Sequence, residues 1–204
     1  MTSIVLAGGR STRLGRDKLV VEVGGRSLLQ RVVDTVLPLS REVLIVKAPG
    51  QEPLSELHYS RLRWVQDERP ERGSLVGVYS GLKEALDFHS LVVAGDMPFL
   101  HRGLLEYMIS ISPGFDVVLP RMGDWMEPLH AIYSQNCLPY IEELLGQGEL
   151  KILEFLSQVK SRVGIRYLEE AEIDMFDSRH LCFFNINTEA DLARARELEV
   201  EVGT

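Results

Sequence analysis

The chain opens with an apolar segment that runs directly into a basic, glycine-rich loop. Residues 2–7 (TSIVLA) predict a buried strand, and the loop sequence is GGRSTRLGRDK over residues 8–18. Glycine tolerates positive φ angles and close approach of the backbone to a ligand, and successive loop amides can enclose an anion. Four cations against one acid leave the loop about three charges positive, and these cations are Arg10, Arg13, Arg16 and Lys18. The pattern predicts a phosphate-binding loop; from the residues alone, an ordinary solvated turn is the alternative.

The loop differs from two better-known phosphate-binding motifs. A P-loop needs G-x-x-x-x-G-K-[ST], but Gly15 is followed by Arg16. The dinucleotide-binding fingerprint G-x-G-x-x-G is excluded because Gly8 and Gly9 are adjacent. The loop therefore indicates a different class of nucleotide-binding protein.

Predicted strands and helices alternate along the rest of the chain. Such alternation is typical of βαβ units with right-handed crossovers and a mostly parallel sheet. A chain of 204 residues fits one domain, and we find no internal repeat or linker. We therefore predict a single-domain α/β protein over residues 1–204, with a Rossmann-like, mostly parallel sheet flanked by helices. The predicted strands are 2–7, 19–23, 42–46, 62–66, 91–95, 115–120, 127–133 and 162–168, and the predicted helices are 27–37, 54–59, 74–86, 138–145, 150–159 and 189–198.

Three polar features follow predicted strands: the 8–18 loop, the loop from Asp67, and Asp96. Ligands of open α/β sheets bind at the carboxyl ends of the strands, so we expect these features to lie together. A carboxylate at such a position suits Mg²⁺, which proteins hold with one or two carboxylates plus substrate phosphates. Asp96 is therefore the predicted metal ligand, although Gly95-Asp96-x-Pro98 is also an ordinary turn sequence.

Composition narrows the classes of partner. The net charge of −8 and the sequence pI near 5.2 argue against nucleic acid or an anionic membrane as the main partner. The sequence has no apolar run of membrane-spanning length and no visible secretory leader. Cys137 and Cys182 lack metal-binding spacing, so we expect free thiols in a reducing compartment. We predict a cytoplasmic protein.

The pattern L-A-G-G-x-S-x-R-x-G-x-D-K over residues 6–18 resembles the signature of nucleotidyltransferases that act on phosphorylated acceptors. Within that group the chain is most similar to the molybdenum cofactor guanylyltransferases, the molybdopterin-guanine dinucleotide biosynthesis protein A family. The resemblance is strongest over 4–18, 91–100 and 183–192. It implies the fold of the nucleotide-diphospho-sugar transferases.

The resemblance also implies roles for particular residues. Asp96 corresponds to the magnesium-binding aspartate of an Asp-x-Pro motif, and Lys18 to the lysine that binds the triphosphate. Together with Arg13 they form the predicted catalytic set. The predicted nucleotide contacts are Leu6, Ala7, Gly8, Gly9, Lys18, Asp67, Gly77 and Asp96. The predicted acceptor-binding residues are His130, Asn185 and Asn187; for His130 a purely structural role is the alternative.

Three positions depart from the family pattern. Ser74 stands where proline is usual, Glu189 replaces the proline after Asn-Thr, and residues 46–50 lack an asparagine expected near the nucleotide. The last departure concerns recognition of the base rather than the class of reaction.

The implied activity is transfer of GMP from GTP to the molybdenum cofactor, Mo-molybdopterin, with Mg²⁺ as cofactor and pyrophosphate as the second product. Residues 1–100 would bind the nucleotide and residues 101–198 the acceptor. Molybdoenzyme maturation proteins are candidate protein partners. The alternatives are another nucleotidyltransferase, using CTP or a sugar phosphate, and a non-catalytic nucleotide-binding module.

Overall fold

The computed structural model describes residues 1–8, 18–51, 57, 59–67 and 73–202, and of Lys18 and Val202 it describes the backbone alone. The predicted helix at 54–59 falls largely outside these ranges. No helix of the described chain is long and apolar enough to cross a membrane.

One sheet contains most of the strands. Its order is β10-β7-β9-β6-β1-β4-β5, with β8 paired to β7, while β2 and β3 form a separate hairpin. Strand β9 is antiparallel to both neighbours, and the remaining pairs along that order are parallel. The prediction of a mostly parallel sheet is confirmed. The strands are β1 (Thr2–Leu6), β2 (Glu22–Val23), β3 (Arg26–Ser27), β4 (Glu42–Lys47), β5 (Leu62–Gln66), β6 (His89–Ala94), β7 (Val117–Met122), β8 (Trp125–Met126), β9 (His130–Ser134) and β10 (Ile165–Glu169).

Helices cover both faces of this sheet. Alternate residues of a strand point to opposite faces, so Ile4 packs into one apolar core and Val5 into the other. The first core contains apolar side chains of α2, α4 and α5, and the second those of α1 and α3. The helices are α1 (Leu28–Val36), α2 (Ser74–Glu84), α3 (Arg102–Ile111), α4 (Leu138–Gly146), α5 (Ile152–Val159), α6 (Glu170–Asp174) and α7 (Glu189–Val202), with 3₁₀ turns at Lys18–Val20, Leu37–Leu39, Gln135–Cys137 and Leu181–Phe183.

The segment predicted as a strand over 19–23 differs from the prediction. It forms the Lys18–Val20 3₁₀ turn and then the short strand β2, which pairs with β3. Gly24 and Gly25 join the two strands with φ angles of 61° and 74°, in the left-handed region that favours glycine. The β-rich composition of 19–23 is therefore used in a small hairpin rather than in the main sheet.

The last helix begins with a side-chain cap, and the prediction of free thiols is confirmed. Thr188 and Asp191 form a reciprocal cap at the start of α7: the Asp191 amide donates to Thr188 Oγ1 at 3.1 Å, and the Thr188 amide donates to Asp191 Oδ2 at 2.8 Å. Cys137 and Cys182 are buried free thiols.

Candidate active site

The carboxyl ends of β5, β4, β1 and β6 lie side by side at one edge of the sheet, which we call the active edge. The antiparallel strand β9 brings its amino end to the same edge, where the Ala94 amide donates to the Leu129 carbonyl at 3.0 Å. The residues just before β9 therefore lie beside those just after β6.

The end of β1 supplies backbone groups at the centre of this edge. The Ala7 amide donates to Val46 O at 2.8 Å, and the Gly95 amide donates to Leu6 O at 3.0 Å. Gly8 approaches the next strand closely, because a Cβ there would lie 3.2 Å from the amide nitrogen of Ala48, a tight contact. Leu6, Ala7 and Gly8 thus lie at the active edge, and their contact with a nucleotide stays a prediction.

Gln51 supports the same strand end and was not predicted. Its amide nitrogen Nε2 donates to Ala7 O at 3.3 Å, and its Oε1 accepts from the Ala48 amide at 3.3 Å. The family asparagine expected within 46–50 is missing, but a side-chain amide one residue later reaches the backbone at the end of β1. Periodicity does not reveal this contact, because Gln51 lies in a loop outside the regular elements.

Asp67 follows β5 and packs against the first turns of α2. Burial raises its pKa to about 6, and a hydrogen bond with Ser80 offsets part of that rise. Its Oδ1 is buried without a hydrogen-bond partner among the described residues. A Cβ on Gly77 would lie 3.1 Å from Leu6 Cδ2 and 3.9 Å from Asp67 Oδ1. Gly77 therefore lets α2 approach both predicted nucleotide contacts.

Asp96 is the second residue after β6, at the start of the loop that leads to α3, and is 7% exposed. Glu127, just before β9, is close enough to feel its charge. Burial chiefly raises the pKa of Glu127 to about 7, with a further contribution from Asp96; the Leu129 amide, which donates to Glu127 Oε1 at 3.2 Å, acts in the opposite direction. Sequence reasoning did not single out Glu127 as a site residue. The sequence offered only its position, as the acidic first residue of the segment predicted as a strand over 127–133.

These two carboxylates fit a hard divalent cation. Among the described residues, no group of three or more His, Cys, Asp or Glu side chains is placed to hold a metal. Mg²⁺ needs no such group, because it is commonly held by one or two carboxylates together with substrate phosphates. Asp96 would be its ligand, and the positive charge would also offset the repulsion between Asp96 and Glu127.

The predicted acceptor-binding residues have different surroundings. Asn185 and Asn187 flank Ile186, whose amide donates to Asp96 O at 3.1 Å, so both lie next to the loop that carries Asp96. The Asn185 side chain donates to Phe183 O at 3.0 Å.

His130, by contrast, is 0% exposed and packs edge-on against Phe183, with ring centroids 4.9 Å apart. Neither ring nitrogen has a hydrogen-bond partner of normal geometry among the described residues. Burial lowers the pKa of His130 to about 4, while the backbone of Cys182 and the charge of Asp177 act weakly in the opposite direction. The ring is therefore neutral at pH 7, and contact with an acceptor would require the covering segment to move.

Other predicted residues lie outside the described part of the chain. Gly9 and Arg13 are among them, and so is the side chain of Lys18, whose backbone begins the 3₁₀ turn after the loop. Their roles stay predictions.

Comparisons with known proteins show the family and the fold to which the chain is similar. The family model described as "MobA-like NTP transferase domain" matches residues 3–162. A protein of Pelotomaculum thermopropionicum, named as a probable molybdenum cofactor guanylyltransferase, is 36% identical over 96% of this chain and 91% of its own length. A molybdenum cofactor guanylyltransferase of Desulfosudis oleivorans is 35% identical over 100% of this chain and 97% of its own.

A solved structure shows the same fold. The molybdopterin-guanine dinucleotide biosynthesis protein A of Archaeoglobus fulgidus superposes with a TM-score of 0.83 at 30% identity, covering 98% of this chain and 100% of that one.

Proposed function

This chain belongs to the family of MobA-like NTP transferases, and from that premise we propose that it transfers GMP from GTP to molybdopterin. It is a nucleotidyltransferase, so the reaction joins a nucleoside monophosphate to a phosphorylated acceptor and releases pyrophosphate. Relatives that match nearly the whole chain carry the name molybdenum cofactor guanylyltransferase, and this favours GTP and the molybdenum cofactor as the substrates. A cytoplasmic location and contacts with molybdoenzyme maturation proteins remain predictions from the sequence.

The observation that carries the proposal is the meeting of three groups at the active edge. The backbone of Leu6–Gly8, the Asp67 carboxylate beside Gly77, and Asp96 beside Glu127 come from separate parts of the chain. A nucleotide bound across the end of β1 would have the first two groups along its nucleoside and the third near its phosphates. Such a site positions two substrates without a nucleophile of its own.

The chemistry needs little acid–base help from the protein. A phosphate monoester has its second pKa near 6 and is mostly dianionic at pH 7. One of its oxygens attacks the α-phosphorus of GTP, and the bond from that phosphorus to the oxygen bridging to the β-phosphate breaks, so that pyrophosphate leaves. No histidine base is required, in keeping with the burial of His130. Alignment of the reacting groups and neutralisation of charge are what the protein supplies.

Two basic side chains and a metal ion would neutralise that charge. Lys18 and Arg13, predicted from the glycine-rich loop, would contact the triphosphate, and Asp96 would hold Mg²⁺. When bound, Mg²⁺ would stabilise the negative charge that develops on the leaving pyrophosphate. Asn185 and Asn187, beside the loop of Asp96, would contact the acceptor.

Selection of guanine would rest on buried groups that only guanine satisfies. Its N1–H and 2-amino group are donors and O6 is an acceptor, so backbone carbonyls and amides near Leu6–Gly8 and the start of α2 could match them. A wrong base would leave such partners unpaired, at roughly 1–3 kcal/mol per group. If two groups are lost, GTP should be preferred over CTP and UTP by on the order of a hundredfold or more.

Pyrophosphate release measured with each of the four common NTPs tests the proposal. The assay contains Mg²⁺ and either molybdopterin or a sugar phosphate as acceptor. We expect release only with GTP and molybdopterin. Release with CTP or with a sugar phosphate would replace the guanylyl assignment by another nucleotidyl transfer, and binding of GTP without release from any acceptor would indicate a non-catalytic module.

A further inference from the structure

Trp125 presents an exposed indole ring on the hairpin formed by β7 and β8. The side chain is 42% exposed, and its ring meets Phe183 in a T-shaped contact with centroids 5.4 Å apart. Phe183 in turn packs on the buried ring of His130 at 4.9 Å. The contact with Phe183 covers only part of the indole, and the exposed part is free to meet a ligand.

The segments that carry the rings of Trp125 and Phe183 both lead to the active edge. The segment of Phe183 continues to Ile186, whose amide donates to Asp96 O at 3.1 Å. On the hairpin side, Glu127 lies two residues after Trp125 and feels the charge of Asp96. In extended chain two residues span about 7 Å. Trp125 also pairs with Met122 at the carboxyl end of β7, and β9 and β6 separate β7 from β1. Trp125 therefore lies at the active edge, on the opposite side of the Asp96 loop from β1 and the predicted nucleotide contacts.

We propose that Trp125 is a specificity-determining residue, whose indole ring stacks on the pterin ring system of the acceptor. The inference rests on the proposed function, because the acceptor must be a pterin. The acceptor phosphate would lie near Asp96, and its ring system would extend toward the hairpin.

The chemistry of the pterin matches this surface. A pterin is a flat, electron-poor heteroaromatic system, and aromatic side chains bind such rings by stacking on their faces. Other exposed aromatic side chains are placed differently: Phe88 precedes β6 and Phe115 precedes β7, at the amino ends of those strands and hence at the opposite edge of the sheet. Among these three exposed aromatic residues, only Trp125 lies where the acceptor would be.

The test compares Trp125→Leu, Trp125→Phe and Trp125→Ala with the unmodified protein. Leucine keeps an apolar side chain on Phe183 but removes the aromatic face, whereas phenylalanine keeps an aromatic face. Dissociation constants are measured for molybdopterin, for 6-hydroxymethylpterin as a probe without phosphate, and for GTP. Phe88→Ala, which removes an exposed ring from the opposite edge, is the matched control.

We expect Trp125→Leu and Trp125→Ala to weaken binding of both pterins by roughly 5- to 150-fold, the range for loss of one stacking contact. Binding of GTP should be unchanged, Trp125→Phe should retain most of the pterin affinity, and Phe88→Ala should have no effect. In turnover the KM for molybdopterin should rise while kcat stays nearly constant.

Equal pterin affinity of Trp125→Leu and the unmodified protein would overturn the inference and leave guanylyl transfer standing. A parallel loss of GTP affinity would also overturn it, since it would show a structural role for Trp125. If the unmodified protein binds GTP but neither pterin, the acceptor assigned in the proposed function is wrong, and the inference falls with it.

Discussion

The backbone amide of Ile186 donates a hydrogen bond to the carbonyl oxygen of Asp96 across 3.1 Å. This bond joins the loop that carries the proposed metal ligand to the segment just before the last helix. Asn185 and Asn187, on either side of Ile186, are thereby placed beside Asp96. The position of Asn185 and Asn187, the predicted acceptor contacts, therefore depends on the same loop that would hold the metal.

Replacing Asp96 by Asn should abolish pyrophosphate release and leave the fold intact. The amide cannot supply the negative charge that binds Mg²⁺, but it has nearly the same shape, and the Asp96 carbonyl can still accept from Ile186. Release is measured at saturating GTP over a range of Mg²⁺ concentrations, and folding by circular dichroism and thermal melting. Near-normal release by a folded variant would show that Asp96 is not the metal ligand.

Gly81→Ala should destabilise the protein by about 1–3 kcal/mol, the usual cost of overpacking a core. A Cβ at this position in α2 would lie 2.5 Å from Cγ2 of Ile4, a buried residue of β1. Gly146→Ala, at the end of α4, is the matched control, because a Cβ there meets nothing within 4 Å and alanine favours the helix by up to about 1 kcal/mol. Urea denaturation of both variants measures the difference. If Gly81→Ala is as stable as Gly146→Ala, α2 can move away from β1 without loss of stability.

The glycines of α2 show how far the sequence alone could go. Gly77 and Gly81 are four residues apart in the sequence, and glycine permits close approach of the backbone to a neighbour, but this spacing does not identify the neighbour. The structure gives them different neighbours: Gly81 packs on Ile4 inside the core, while Gly77 faces Leu6 and Asp67 at the active edge. Only the direction of the helix across the sheet decides which glycine faces the site, and that direction is a tertiary property.

The main-sheet strands of the nucleotide half, β1, β4, β5 and β6, could be predicted because each is a short, mostly apolar run bounded by turn residues, and in a parallel sheet such runs fix where the loops meet. Asp67 and Asp96 followed from that rule. Glu127 did not, because it precedes a strand, and only the antiparallel direction of β9 brings its amino end beside Asp96. The burial of His130 could not be predicted either, since Phe183 covers it from a distant part of the sequence.

His130→Leu should make the protein less sensitive to acid. Burial lowers the pKa of His130 from 6.5 to about 4. Between these two pH values the imidazole is protonated in the unfolded chain and neutral in the folded protein. His130 therefore costs stability progressively as the pH falls from about 6.5 toward 4, by about 2 kcal/mol between pH 7 and pH 5. Urea denaturation at both pH values should show a smaller loss for the leucine variant. Equal losses would mean that His130 stays neutral in both states or is charged when folded.

Asp67→Asn should stabilise the protein at pH 7.5 while weakening its affinity for GTP. Burial raises the pKa of Asp67 from 3.8 to about 6, so the folded state holds this proton more tightly than the unfolded chain. Stability therefore falls as the pH rises from about 4 to about 6, because ionising the buried carboxyl is disfavoured. Asparagine cannot ionise and can still accept from Ser80, so the variant should lose that pH dependence, and the two proteins should converge in stability near pH 4.

If the ionised Asp67 carboxylate contacts the nucleotide, the same change removes a partner of GTP, and the affinity of the unmodified protein for GTP should itself decrease as the pH falls below 6. Urea denaturation and calorimetric GTP titration at pH 5, 6 and 7.5 separate the two effects. A variant that gains stability but binds GTP normally would leave Asp67 without a role in nucleotide binding, and one that is less stable at pH 7.5 would show that the carboxylate is satisfied in the folded protein.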